Sequence, residues 1–147
     1  MASLPYLLAD SARLLRRAFD ARVRVLGMTS PQARLLLLLH VSEGENQGFY
    51  ADRLEVEPIS LTRMIDRMEE SGLIERHRDP GDRRAWRLHL TDKSRKVIDQ
   101  VRAGLAGLED EMLAGLTAAQ REALSEALET IRNNFTTARS ALEVANG

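Results

Sequence analysis

The chain has no cysteine and few aromatic side chains. Without cysteine it can form no disulfide and no thiolate metal cluster, and it has no thiol to act as a nucleophile or to sense oxidants. Its aromatic residues are three phenylalanines, two tyrosines and one tryptophan, whereas leucine, alanine, arginine and glutamate are abundant. Because this composition favours helices over sheets, we predict a mostly α-helical (α+β) fold.

Long apolar runs and common catalytic motifs are also missing. No run approaches a membrane span, and Asp10 and Arg13 come too early in the N-terminal segment for a signal peptide, so we expect a cytoplasmic protein. The sequence contains no G-x-S-x-G, no phosphate-binding glycine loop and no H-E-x-x-H. Three histidines and many carboxylates are present, but without such motifs we expect no enzymatic activity, no cofactor and no metal.

The net charge of −1 conceals an uneven distribution over the 147 residues, a length that suits one domain. Residues 60–98 carry ten basic and seven acidic side chains, whereas residues 99–147 carry four basic and eight acidic ones. Most basic residues of the middle segment are arginines, whose planar guanidinium groups suit phosphate and base-edge contacts. A modest excess of basic residues is also typical of an ordinary solvated surface. The local sequence pattern has to distinguish such a surface from a site that binds phosphates and bases.

Helical periodicity predicts four helices in the first half of the chain. The first covers residues 4–26. The second takes Ser30 as its N-cap and Pro31 as its first helical residue, and its five consecutive leucines predict burial in the middle of the fold. Asn46 caps a short third helix, QGFYADRL, and Pro58 begins the fourth.

The fourth helix has one apolar and one polar face. The apolar stripe consists of Leu61, Met64, Ile65 and Met68. The opposite face carries polar and charged residues: Ser60, Thr62, Arg63, Asp66 and Arg67. Two short helices joined by a tight turn, the second with arginines on its outer face, are typical of a helix-turn-helix motif.

A β-hairpin follows this helix. Residues 74–78 and 85–91 are predicted to pair around the turn DPGD, because Pro-Gly favours a turn and apolar residues alternate along the second strand. Arg83 and Arg84 lie at the tip. A hairpin that directly follows a recognition helix is called a wing. Its arginines lie where they could reach the neighbouring minor groove of a DNA duplex.

Thr91 is predicted to cap a helix over about residues 92–114, and Thr117 with Gln120 forms a capping box that starts the last helix. The apolar stripes of these two helices and of the first helix extend beyond what a small winged-helix core can cover. A second copy of the chain is the simplest partner for these stripes.

The segment ISLTRMIDRMEESGLIERHRDPGDRRAWRLHLTDKS, residues 59–93, resembles the MarR family of bacterial transcription regulators, and its spacing is most similar to the SlyA-like branch. The family pattern is L-E-x-x-G-L-I-x-R, then D-x-R, then L-T. The matching residues are Met68-Glu69, Gly72-Leu73-Ile74, Arg76, Asp82-Arg83-Arg84 and Leu90-Thr91.

The resemblance implies a homodimeric, sequence-specific regulator of a pseudo-palindromic operator in double-stranded DNA. A repressor released by a small aromatic or anionic effector is common in this family. One domain, residues 1–147, would comprise a winged helix-turn-helix core at residues 30–92 and a helical dimerisation region at residues 1–28 and 93–147.

Roles for individual residues follow from the same resemblance. Arg84 would enter the minor groove and Asp82 would hold it in place. The full set expected at DNA is Ser60, Thr62, Arg63, Arg67, Arg76, Asp82, Arg83 and Arg84. The third helix departs from the family at Tyr50, which replaces a common leucine. Family members often have an effector pocket near the junction of the dimerisation and DNA-binding regions, and its candidate residues here are Arg17, His40, Phe49 and Tyr50.

Several conspicuous side chains also have structural interpretations. We interpret His40, inside the leucine run, as a core histidine, and Trp86 as part of the packing of the wing. His77 and His89 can lie close across the hairpin, but two histidines without a third ligand make a weak metal site. A winged-helix module that binds an acidic protein instead of DNA is the alternative function.

Overall fold

The computed structural model describes residues 1–147 and contains six helices and one two-stranded antiparallel sheet, which confirms the predicted fold class. The elements are α1 Leu4–Val25, α2 Ser30–Val41, α3 Gln47–Leu54, α4 Pro58–Glu70, β1 Ile74–Arg78, β2 Trp86–Leu90, α5 Asp92–Leu113 and α6 Ala118–Asn146. Residues 1–109 form one compact unit and residues 110–147 a second. None of the helices has the length and apolar character that a membrane span requires.

The start of α2 differs from the sequence prediction by one residue. Thr29, not Ser30, is the N-cap: its hydroxyl accepts from the Gln32 N–H at 3.3 Å, and the Gln32 amide oxygen accepts from the Thr29 N–H at 3.2 Å. By intrinsic preference serine is a somewhat better N-cap than threonine. The glutamine three residues after Thr29 favours Thr29 as the N-cap, because the two residues form a capping box.

The core of the first unit is built around α2. Leu35, Leu36 and Leu39 are fully buried, and they pack with residues of α3, α4, α5 and both strands. Tyr50 lies in the same cluster, and its hydroxyl donates to the Ser42 carbonyl at 2.6 Å and accepts from the Glu45 N–H at 3.1 Å. Burial raises the pKa of the Tyr50 phenol. A tyrosine therefore fits the position where a leucine is common, because its hydroxyl is hydrogen-bonded.

Helix α4 buries the predicted stripe. Leu61, Ile65 and Met68 are buried and Met64 packs against the same cluster. The helix ends at Glu70, and the chain turns away at Gly72, whose φ of +77° is a left-handed conformation that glycine adopts without strain. The Leu73 N–H then bonds back to the Met68 carbonyl at 2.8 Å and the chain enters β1.

The two segments predicted to pair do so, with Ile74 opposite Leu90 and Arg78 opposite Trp86. The other edge of β2 is also hydrogen-bonded, because Leu88 exchanges backbone bonds with Gly44 and Glu45 at 2.9 and 3.0 Å. This arrangement fixes β2 against the segment after α2 as well as against β1.

Glu43 ties the same segment to the end of the hairpin. Its carboxylate accepts from the Leu90 N–H at 2.9 Å and from the Arg95 guanidinium at 3.0 Å. Burial alone would raise the pKa of this carboxyl, but the hydrogen bonds from Leu90 and Arg95 and the positive charge of Arg95 together lower it. Glu43 is therefore held as a carboxylate between β2 and α5.

The two predicted caps in the second half of the chain are confirmed. Thr91 Oγ accepts from the Ser94 N–H at 3.1 Å, and Ser94 Oγ accepts from the Thr91 N–H at 2.8 Å. Thr117 and Gln120 form the capping box of α6. No residue of α6 is buried in the single chain, and its stripe of Leu124, Leu128, Ile131 and Phe135 is 36–73% exposed.

The interpretation of His40 as a core histidine was wrong. His40 is exposed, because it lies in the last turn of α2, where its Nε2 is 3.4 Å from the Arg102 guanidinium. Trp86 is 38% exposed, and within the wing its ring lies against the Arg78 guanidinium of the opposite strand. The proximity of His77 and His89 is confirmed, since their rings stack with centroids 4.2 Å apart.

Candidate nucleic-acid interface

The outward face of α4 carries two arginines without acidic partners. Ser60, Arg63 and Arg67 are exposed, and neither arginine side chain forms an ion pair or a hydrogen bond. They lie on the side of the helix opposite its buried stripe. Unpaired guanidinium groups on an exposed helix have their donors available for another molecule.

Thr62 has a different environment from its neighbours. It is partly buried, and its hydroxyl donates to the Pro58 carbonyl at 3.0 Å and accepts from the Gln47 side-chain amide at 3.2 Å. The hydroxyl therefore links α4 to α3 within the protein.

Arg76 is enclosed by the protein, with only 14% of its side chain exposed. Its guanidinium lies 2.6 Å from the Asp66 carboxylate and 3.2 Å from that of Glu69, and it donates to the Thr62 carbonyl at 3.4 Å. It also donates to the Gln47 amide oxygen at 3.3 Å. The side chain thus joins β1 to both helices of the helix-turn-helix, and most of its donors are occupied.

Two aspartates shape the loop between the strands. The Asp79 carboxylate accepts from the Gly81 N–H at 2.8 Å and from the Arg87 guanidinium at 3.0 Å. These contacts, first the Gly81 hydrogen bond and then that of Arg87, lower the pKa of Asp79. The Asp82 carboxylate accepts from the Arg84 N–H at 2.9 Å. Each aspartate closes a tight turn through a backbone amide two residues further on.

Asp82 therefore orients Arg84 through the main chain, and no contact joins its carboxylate to the guanidinium. Arg83 and Arg84 are exposed at the tip, and neither side chain has an ion-pair partner. The Arg83 carbonyl accepts from Arg78 at 3.1 Å, and the Arg78 guanidinium stacks 4.8 Å from the centre of the Trp86 ring. The tip is thus a fixed turn that presents two free arginines.

Helix α4 and the two strands of the hairpin line one groove of about 500 Å³, which also includes Gln47 of α3. Its lining includes the ion-paired side chains of Asp66, Glu69 and Arg76 and the ring of Trp86. Of the residues predicted to contact DNA, Thr62 and Arg76 line this groove, whereas Ser60, Arg63 and Arg67 do not.

The four candidates for an effector pocket are not gathered in this way. Neither the groove above nor a second one of about 620 Å³ near Gly72 and Lys93 includes Arg17, His40, Phe49 or Tyr50. Arg17 is exposed on α1, whereas Phe49 is partly buried and covered by the Arg53 guanidinium at 3.6 Å. A pocket formed by these residues stays a prediction.

Sequence reasoning did not identify Gln47 or Asp79 as residues that shape this surface. Gln47 gave no signal, because its partners Thr62 and Arg76 are distant in the sequence. For Asp79 the sequence did contain a signal, because an aspartate two residues before a glycine is typical of a turn that the aspartate side chain closes.

Comparison with known proteins finds a matching family and several similar structures. Residues 28–86 match the MarR family. The chain is 33% identical to the transcriptional repressor CouR bound to a 23-mer DNA duplex, with a TM-score of 0.75 and coverage of 88% of this chain and 92% of that one. A MarR-family transcriptional regulator from Silicibacter pomeroyi is 27% identical, with a TM-score of 0.77 and 88% of both chains covered.

A mutant MarR from E. coli complexed with operator DNA has the same fold. It is 24% identical, with a TM-score of 0.74, and the match covers 87% of this chain and 92% of that one.

Proposed function

The chain belongs to the MarR family, and from this membership we propose that it is a homodimeric repressor that binds a pseudo-palindromic operator in double-stranded DNA. MarR-family proteins are transcription regulators and not enzymes, and this chain is a DNA-binding regulator. The single observation that carries the assignment to this surface is the set of exposed arginines without acidic partners on α4 and at the tip of the hairpin.

We assign two kinds of contact to these arginines. Arg63, with Ser60 beside it, is proposed to reach base edges in the major groove, because a recognition helix presents its N-terminal half to the bases. Arg67, one turn further along the same face, is proposed to reach base edges or phosphates there. Arg84, with Arg83 next to it, is proposed to enter a minor groove, where a narrow groove concentrates negative potential. Asp82 and Arg76 act inside the protein by positioning the wing and the helix, and Thr62 does the same for α4.

The proposed dimer explains why long apolar stripes are exposed in the single chain. Leu7, Leu8, Leu14 and Leu15 of α1 are exposed, as is the whole stripe of α6. Exposed apolar stripes on helices of this length are typical of interfaces between subunits.

Release by a small aromatic or anionic effector is proposed from family membership alone, as is the SlyA-like branch. Because the proposed target is the cell's own DNA, we also propose a cytoplasmic location. A protein-interaction module remains the competing function, and it becomes an outcome of the test.

Selection of bound duplexes from a random pool tests the proposal. We expect repeated rounds to recover one motif with two inverted halves, because two copies of α4 would read the same bases on opposite strands. Arg63→Ala should be selected in parallel, with Arg53→Ala as a control for a lost arginine away from the outer face of α4. If the wild type recovers no motif, sequence-specific binding is wrong and an acidic protein partner becomes the better interpretation.

A further inference from the structure

Ile59 is an apolar side chain at the N-terminal end of the otherwise polar outer face of α4. It is 63% exposed and follows Pro58 in the first turn of the helix. At about 100° per residue, Ile59 and Arg63 lie roughly 40° apart around the helix axis, whereas Leu61, Ile65 and Met68 lie on the far side. The side chain therefore points in nearly the same direction as the unpaired guanidinium of Arg63.

Neither folding nor helix stability accounts for isoleucine at this position. Its side chain belongs to neither core cluster. A β-branched residue is also a weaker helix former than the leucine, glutamate or lysine that a solvent-facing position accepts equally well. Single exposed apolar residues are common on protein surfaces, so exposure alone does not indicate a contact. The location of Ile59 beside Arg63 on the outer face of α4 does.

That position is one at which a helix-turn-helix meets base edges, since the N-terminal residues of the recognition helix enter the major groove. Thymine is distinguished there by its 5-methyl group, which aliphatic side chains contact. We propose that Ile59 packs against the methyl group of a thymine, and that this thymine lies about one or two base pairs from the base read by Arg63. The spacing follows from the distance of about 5 to 6 Å between Cβ atoms four residues apart on a helix.

The inference rests on the proposed function and names one base of the operator. The test takes the duplex recovered by random-pool selection and replaces each thymine, one at a time, by deoxyuridine, which pairs identically but lacks the methyl group. Dissociation constants are measured at one fixed salt concentration for the wild type and for I59A.

At one thymine we expect deoxyuridine to weaken wild-type binding by about fourfold, the factor that corresponds to burial of one methyl group. The I59A variant should bind the thymine and deoxyuridine duplexes equally at that position. Ile59→Val keeps a branched aliphatic side chain and should retain part of the difference. The matched control is Val41→Ala, an exposed aliphatic residue at the end of α2, which should leave the full difference in place.

Two results would overturn the inference while leaving the proposed function intact. The first is equal binding of the wild type to thymine and deoxyuridine at every position of a duplex that it prefers. The second is a difference that persists in I59A, which would mean that another residue contacts the methyl group. Failure to recover any preferred duplex would instead refute the proposed function, and this inference with it.

Discussion

Arginine has two different roles at the scale of single residues. Arg76 is 14% exposed and held by two carboxylates, whereas Arg63 and Arg84 are exposed and unpaired. An enclosed guanidinium that satisfies its donors inside the protein stabilises the fold, and an exposed one with free donors can bind an external anion. The two groups should therefore respond differently to substitution.

Arg76→Ala should lower the free energy of unfolding by about 1 to 3 kcal/mol, because it removes several charge-assisted hydrogen bonds and leaves Asp66 and Glu69 without their shared cation. Urea unfolding of the variant, compared with Arg63→Ala, measures this difference. Arg63→Ala should unfold like the wild type. Equal stability of the wild type and Arg76→Ala would show that Arg76 does not hold the helix-turn-helix together.

Asp82 provides a second test, because its carboxylate bonds to the Arg84 N–H and not to the guanidinium. Asp82→Ala should weaken DNA binding although it removes a negative charge near phosphates, since the turn that presents Arg84 is lost. Asp82→Asn keeps the acceptor oxygen and should bind as well as the wild type or better. The double variant with Arg84→Ala should be less impaired than the sum of the two single ones.

Fluorescence anisotropy with a labelled duplex measures these affinities. Tighter binding by Asp82→Ala at every salt concentration would contradict the positioning role and leave the tip as a simple basic patch.

At the scale of elements, the hairpin should loosen in acid. The pKa of Asp79 is lowered in the folded chain, chiefly by the Gly81 N–H and then by Arg87. A carboxyl with a lowered pKa stabilises the fold above its unfolded value of about 3.9, and this contribution is lost as the pH falls through the folded value. The lowered pKa of Glu43, at the other end of β2, acts in the same direction.

Asp79→Asn keeps the acceptor for Gly81 but removes the charge that pairs with Arg87. The difference in unfolding free energy between the wild type and this variant should stay constant from neutral pH to about pH 5 and shrink below about pH 4. Chemical unfolding at a series of pH values measures it. A difference that is unchanged down to about pH 2 would mean that the carboxylate charge does not stabilise the hairpin.

The sequence was most informative about elements, because the signals for them are local. The cap at Asn46, the turn around Pro80 and Gly81, and the capping box at Thr117 each depend on residues within four positions of one another. Each of these predictions is confirmed.

Contacts between distant residues could not be predicted in the same way. Arg76 matched a DNA-binding family pattern, but its environment depends on Gln47 and Asp66, which reach it only when α3, α4 and β1 are packed together. His40 was misjudged for a related reason. A leucine run indicates a buried helix but does not show which turn of the helix extends beyond the core.

At the scale of the whole molecule, the apolar stripe of α6 predicts association. Phe135→Asp should place a charge in the proposed interface at a cost of several kcal/mol, so the variant should dissociate and its Tm should be lower and depend on protein concentration. Phe135 is 73% exposed in the single chain, so the substitution removes little packing within one subunit. Asn134→Asp adds the same charge at the neighbouring position and is the control.

Light scattering and thermal unfolding over a range of protein concentrations distinguish these cases. A wild-type chain that is monomeric and fully folded at micromolar concentration would refute the proposed dimer.

The central claim is that the free arginines of α4 and the hairpin tip bind one DNA sequence in preference to others. The most direct measurement is a titration of the selected duplex and of a shuffled duplex at several salt concentrations. The wild type should prefer the selected duplex, and its affinity should fall linearly on a log–log plot against salt. Arg84→Ala should reduce the slope by about 1 per subunit, and Arg63→Ala should reduce the preference by about 1 to 3 kcal/mol. Equal affinity of the wild type for the two duplexes, or affinity that does not change with salt, would contradict the claim.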